Sequence, residues 1–139
     1  MKIAIDTSCL LINPNSGLSE VVTNLISELP FVEKENEFVL FYNYFRSAKN
    51  FSGTDFPGTI KHTLKIPRRL INWTWINNWF YVDSLLPKAD IYHSLHIQIP
   101  PSSRLKKVLT VHDCRFLAFP DFYPSQPKRT LSHLRSCSP

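Results

Sequence analysis

The sequence is poor in glycine and cysteine. Glycine occurs three times in 139 residues, so any phosphate-binding loop would rest on a single glycine, which is weak support. The three cysteines, Cys9, Cys114 and Cys137, are an odd number without a CxxC spacing, which argues against a disulfide framework or a cysteine zinc site. We therefore expect buried, reduced thiols.

Long hydrophobic runs are also missing. The stretch "MKIAIDTSCLLI" reaches Asp6 before an apolar core of signal-peptide length has formed, and no segment approaches the roughly 18 apolar residues that span a membrane. We therefore expect a cytoplasmic protein, with any membrane contact peripheral and at the inner face. The net charge of +5 favours anionic partners such as phosphates or an acidic membrane surface, and it is too modest to indicate nucleic-acid binding.

Strand-like and helix-like segments alternate along the chain, whose length fits one domain. The strand candidates are "KIAIDTSCLL", "EFVLFYNYF", "TIKHTLKI", "ADIYHSLHI" and "KKVLTVHD". One helix candidate runs from Leu18 and is stopped by Pro30; the other, "RRLINWTWINNWFYVDSLL", follows Pro67 and ends before Pro87. Parallel strands need such crossovers, so the pattern predicts a doubly wound α/β sheet with ligands beyond the carboxyl ends of its strands.

A glycine lies between the first strand and the first helix, in "NPNSGLSEVV". The backbone N–H groups of Gly17, Leu18 and Ser19 would face a phosphate at the positive end of the helix. In the alternative interpretation, Gly17 only makes a turn, and Ser16 or Ser19 caps the helix.

Histidines cluster in the last predicted strands. His93, His96 and His112, with Asp113 and Cys114, have the ligand types of a zinc or iron site, and a metal-dependent hydrolase is one hypothesis. His93 and His96 are three residues apart on a strand end, which directs them to opposite faces, so they need not be co-ligands. Ordinary hydrogen-bonded histidines are the alternative, and no metal is expected.

The second helix candidate carries three tryptophans beside two arginines. Trp73, Trp75 and Trp79 near Arg68 and Arg69 suggest a membrane or nucleic-acid surface. Apolar residues cover most of the helix circumference, however, which favours a helix packed between the sheet and another layer. We therefore predict that the tryptophans are core residues and that the arginines are the solvated start of the helix.

Taken together, the segments resemble a known family. "KIAIDTSCLL", "GLSEVVTNLISEL", "NEFVLFYN", "IPRRLINWTW", "ADIYHSLHIQIPP" and "VLTVHDCRFLAFPDFYP" occur in the order found in the amino-terminal domain of family-4 glycosyltransferases, the retaining GT-B enzymes that use nucleotide-sugar donors. The resemblance extends to about Lys128. It implies a Rossmann-like domain over residues 1–128 that binds a glycan or lipid-linked acceptor, with the nucleotide sugar as co-substrate and no metal cofactor.

The resemblance also implies roles for individual residues. Gly17, followed by Leu18 and Ser19, resembles the loop near the donor diphosphate. His112 resembles the histidine that reaches the transferred sugar, and Asp113 would orient its loop; such groups stabilise the leaving diphosphate and the positive charge that develops on the sugar. His93 and His96 would line the acceptor cleft.

The sequence departs from the family pattern at two places. Glu20 follows the loop glycine where the family has a second glycine or a basic residue. The chain also stops at Pro139, before the family's donor-binding domain, and residues 129–139 would be a truncated helix or an irregular tail. We therefore expect a domain that is inactive alone, as a fragment, a frameshift product or a split enzyme with a separately encoded donor domain. The non-enzyme alternative is a binding module.

Overall fold

The computed structural model describes residues 1–45, 55–86, 88–95, 99–113 and 119–122. The strands are β1 (Lys2–Asp6), β2 (Glu37–Asn43), β3 (Thr59–Leu64), β4 (Ile91–Ser94) and β5 (Lys106–Leu109), and the helices are α1 (Cys9–Ile12), α2 (Gly17–Val32) and α3 (Arg68–Ile76). Single turns of 3-10 helix cover Val82–Ser84 and Pro120–Phe122. None of the helices described has the length and apolar composition needed to cross a lipid bilayer.

The five described strands form one parallel sheet in the order β3-β2-β1-β4-β5. Strands β1, β2 and β3 follow one another toward one edge of the sheet. After α3 the chain crosses back, and β4 lies on the other side of β1. The strand order therefore reverses beside β1, as in Rossmann-like sheets, whose ligands bind near this reversal. The predicted α/β Rossmann-like sheet is confirmed.

Both faces of the sheet are covered, because successive side chains of a strand point to opposite faces. On one face, Val22 and Ile26 of α2 pack in a cluster with Ile5 of β1. On the other face, Ala4 lies in a second cluster with Val82, from the segment that follows α3. This layering is that of a doubly wound sheet.

The first strand is shorter than its apolar run. It ends at Asp6, whose Oδ1 accepts the backbone N–H of Ser8 at 3.0 Å, and α1 begins at Cys9. Such a local bond from an aspartate favours a turn over a continued strand. Thr7 is fully buried in this turn and donates its hydroxyl to the carbonyl of Phe41 at 3.0 Å.

The expectation that Pro30 stops α2 is wrong, since the helix continues to Val32. Pro30 lies in the last turn, so its missing N–H removes one hydrogen bond near an end that frays anyway. Gly58, before β3, packs against this turn: it has a φ of 75°, and an added Cβ would lie 2.9 Å from Cβ of Pro30. The loop therefore needs glycine here.

The second predicted helix, in contrast, is shorter than expected, because α3 ends at Ile76 rather than before Pro87. Asn78 adopts a φ of 54° and donates its N–H to the carbonyl of Trp75 at 3.1 Å, while Trp79 donates to that of Thr74 at 2.9 Å. These two bonds form a Schellman motif, in which asparagine tolerates the left-handed backbone. The apolar pattern continues beyond this point, and the helix does not.

Candidate functional site

The carboxyl edge of the sheet contains a pocket of about 300 Å³ beside β1, β2 and α3. We call it the edge pocket, and its polar and aromatic lining includes Asp6, Ser8, Asn43, Arg68, Asn72 and Trp75. This is the side of a parallel sheet on which ligands bind. Its floor comes from the ends of two neighbouring strands, and one wall comes from α3.

Asp6 is fixed at the floor of the edge pocket. Its Oδ1 accepts the Ser8 N–H, and its Oδ2 accepts the hydroxyl of Tyr92 at 3.1 Å. Tyr92 is fully buried; this burial, and then the negative charge of Asp6, raises the pKa of the Tyr92 hydroxyl well above its usual value. The hydroxyl therefore stays protonated and donates to Asp6, whose oxygens keep acceptor capacity for a further group.

Asn43 is oriented by two bonds that leave its side-chain N–H₂ group available. Its backbone N–H donates to Oγ of Ser8 at 3.1 Å, and its Oδ1 accepts the N–H of Ile66 at 3.2 Å. Within the described residues its Nδ2 has no partner. Because the carbonyl half of the amide is occupied by the backbone, the donor half is the part that a ligand can use.

One face of α3 lines the pocket, with Arg68, Ile71, Asn72 and Trp75 at spacings of three and four residues. The side chains of Arg68 and Asn72 make no hydrogen bond or ion pair within the part of the chain that the structure describes. Nε1 of Trp75 is buried and has no partner there either. A buried donor left unpaired costs about 1–3 kcal/mol, so this N–H is an unsatisfied group of the fold beside the pocket.

Cys9 also lines the edge pocket. Burial, and then the charge of Asp6, raises the pKa of its thiol to about 11. The nucleophilic form of cysteine is the thiolate, so at neutral pH this thiol is protonated and unreactive. Cys9 therefore does not offer a thiolate nucleophile to this pocket at neutral pH.

The predicted diphosphate loop lies at the start of α2, beside this pocket. Ser16 caps the helix, since its Oγ accepts the N–H of Ser19 at 3.2 Å. The Ser19 hydroxyl donates to the carbonyl of Asn13 at 2.7 Å and is fully occupied in holding the loop. The N–H groups of Gly17 and Leu18 have no partner among the described residues, so they are the two donors of this loop that an anion can reach.

The predicted histidines lie on the other half of the edge, around β4 and β5. Nε2 of His93 lies 2.8 Å from Oγ1 of Thr110, and desolvation lowers the pKa of His93, which keeps the ring neutral. Nε2 of His112 lies 3.0 Å from the carbonyl oxygen of Leu95, so this nitrogen carries the proton and donates it. Neither histidine lines the edge pocket.

Asp113 is exposed next to His112, and His96 lies outside the described residues. Cys114 also lies outside them, as does the predicted tail 129–139. Among the residues that are described, no three histidine, cysteine, aspartate or glutamate side chains are grouped closely enough to hold a metal ion.

The edge pocket was not predicted from the sequence, although the sequence contains a pattern that indicates it. The runs "KIAID" and "EFVLFYN" each end in a polar residue, Asp6 and Asn43, on strands that turn out to be neighbours. Comparison of the chain with protein-family models, curated proteins and solved structures gives no match. The site is therefore interpreted from its own chemistry.

Proposed function

We propose that this chain is the acceptor-side domain of a retaining, nucleotide-sugar-dependent glycosyltransferase, and that the edge pocket holds one sugar unit of the acceptor glycan. The observation that carries the proposal is the edge pocket itself, which combines apolar walls with unpaired polar groups at the carboxyl edge of a Rossmann-like sheet.

A sugar ring matches this combination of surfaces. Its C–H faces are apolar and pack on aromatic or aliphatic side chains, while each hydroxyl group both donates and accepts a hydrogen bond. Trp75 and Ile71 supply the apolar wall, and Phe41 lies at the floor. The volume of about 300 Å³ is at the lower end of the range for small-molecule sites, which suits one monosaccharide unit.

The polar groups complement a ring of hydroxyls. Asp6 is an acceptor with its position fixed, whereas the amides of Asn43 and Asn72 are donors. Arg68 adds a positive charge at the rim, which favours a sugar or linkage that carries a carboxylate or phosphate.

The order of the sequence segments supports the transferase part of the proposal. The free N–H groups of Gly17 and Leu18 and the side chain of His112 lie at the same edge as the pocket, where a second domain with a bound nucleotide sugar would close over it. In this proposal the chain binds the acceptor glycan, and a donor-binding domain supplies the nucleotide sugar.

Binding is tested by ligand-observed NMR with a panel of neutral oligosaccharides, uronic-acid oligosaccharides and nucleotide sugars. We expect glycan binding that weakens by about tenfold in Trp75→Phe and Asn72→Ala, since the first variant reduces the aromatic wall of the pocket and the second removes one ligand hydrogen bond. The matched controls are Trp73→Phe, on the exposed side of the same helix, and Asn24→Ala, exposed on α2. Both controls should bind as the unchanged chain does.

Two results would overturn the proposal. One is the absence of binding to any glycan of the panel, and the other is binding that Trp75→Phe and Asn72→Ala leave unchanged.

A further inference from the structure

The side of α3 that faces away from the edge pocket is apolar and exposed. Leu70 is 51% exposed, Trp73 50% and Ile76 53%, and beyond the end of the helix Trp79 is 69% exposed. The rings of Trp73 and Trp79 pack edge to face, with their centroids 4.7 Å apart. These four residues form one patch, which we call the outer face of α3, and the prediction that Trp73 and Trp79 are core residues is wrong.

Two basic residues lie next to this patch in the sequence, one on α3 and one just before it. Lys65 and Arg69 are exposed, and neither makes an ion pair with another described residue. The first turn of α3 contains no acidic residue. Cations at the amino end of a helix are opposed by its dipole, so an arginine here is better stabilised by an external anion than by the fold.

We infer that the outer face of α3 docks on a lipid bilayer that contains anionic headgroups. Trp73 and Trp79 lie at the headgroup boundary, where tryptophan is favoured, and Leu70 and Ile76 reach the first acyl carbons. Lys65 and Arg69 pair with lipid phosphates, each contributing on the order of a fivefold gain in affinity. A helix of nine residues buries little area, so docking is weak and reversible.

Charge complementarity favours a lipid surface over a second copy of this chain. A two-fold contact through the outer face would bring the patches of two copies together, and the Lys65 and Arg69 side chains of both copies would lie close to one another. Like charges at an interface oppose association, whereas an anionic bilayer neutralises them.

Docking in this orientation also bears on the acceptor. Arg68, Asn72 and Trp75 line the edge pocket on the opposite side of the same helix, so the pocket would lie about one helix diameter, roughly 10–12 Å, from the headgroups. A lipid-linked glycan suits this distance. That choice of acceptor rests on the proposed function, whereas the docking itself does not.

The test is co-sedimentation of the chain with vesicles of phosphatidylcholine alone, or with phosphatidylglycerol added, without any glycan. We expect binding to the anionic vesicles, a blue shift of tryptophan emission and loss of both at high salt. Trp73→Ala and Trp79→Ala should each weaken binding about tenfold, and Arg69→Gln about fivefold. Circular dichroism establishes that these surface variants are folded.

Two variants provide controls. Phe31→Ala removes an aromatic side chain that is 62% exposed at the end of α2, and Trp75→Phe changes the pocket side of α3. Neither should alter vesicle binding. Three results would overturn the inference. They are equal binding to both vesicle types, a loss of vesicle binding in Phe31→Ala as large as that in Trp73→Ala, and a dimer in sedimentation velocity that Trp73→Ala abolishes. Glycan binding by Trp73→Ala is measured in a separate experiment. A failure of the membrane inference can therefore be told apart from a failure of the proposed function.

Discussion

The two halves of the carboxyl edge handle their polar groups differently. On the β1–β2 half, Asp6 and Asn43 are oriented by some of their bonds and keep the rest of their capacity open toward a pocket. On the β4–β5 half, His93 bonds to Thr110 and His112 bonds to Leu95. The first bond joins β4 to the segment after β5, and the second joins the segments that follow the two strands, so the two histidines hold together strands of only four residues. Polar residues at strand ends thus leave hydrogen-bonding capacity open toward a pocket in one half and connect the strands in the other.

The largest effect is expected from Asp6→Ala, which tests how the polar group on the β1–β2 half is held. The substitution leaves the buried hydroxyl of Tyr92 and the N–H of Ser8 without their acceptor, and we expect the free energy of unfolding to fall by about 2–3 kcal/mol. Urea unfolding measures the loss.

Two further variants separate that hydrogen bond from a general effect of charge. Asp90→Ala removes an exposed carboxylate that accepts the N–H of Lys2 at 2.7 Å, and it should cost less than about 1 kcal/mol. In a Tyr92→Phe background, Asp6→Ala should cost about 1 kcal/mol less than it does alone. Additive losses would contradict the assigned role of Tyr92.

The second prediction concerns pH and the β4–β5 half. Desolvation lowers the pKa of His93 below that of the unfolded chain, so the unfolded state binds the proton more readily. The stabilisation that this neutral ring provides is present above about pH 6.5 and is lost as the pH falls through the folded pKa. We expect His93→Gln to cost about 1 kcal/mol at neutral pH and to flatten the decline in stability below that value.

Urea unfolding at a series of pH values checks this prediction, and His112→Gln is the comparison. An unchanged slope in His93→Gln would contradict it. Binding of glycan to the edge pocket should be the same in both histidine variants, because neither side chain lines that pocket.

The smallest expected effect is that of Gly17→Ala. A Cβ at this position meets no atom within 4 Å and the backbone has no positive φ, so the substitution should raise stability by about 0.5 kcal/mol. Thermal unfolding measures this gain. A lower melting temperature would mean that the fold requires glycine here. If the gain is found, any change in the binding of a donor diphosphate by this variant cannot be explained by a loss of folding.

The sequence predicted the sheet because its strands are short apolar runs separated by turn residues, a pattern that depends on local chemistry. It did not predict the end of α3, since the apolar pattern continues past Asn78 and the left-handed turn there overrides it. The edge pocket was missed for another reason. Asp6 and Asn43 become neighbours only through the register of β1 and β2, in which Asp6 pairs with Phe41. That register is a property of the assembled sheet.

The bond between Tyr92 and Asp6 also bears on the order in which the molecule assembles. The residues that line the edge pocket all lie within the first 75 positions, yet the hydroxyl that holds its floor comes from a residue 86 positions away from Asp6 along the chain. Closing so long a loop is slow compared with forming the local β1–α2–β2 unit. We therefore expect the pocket to acquire its final shape only when β4 joins the sheet, because the hydroxyl group that holds Asp6 arrives with that strand.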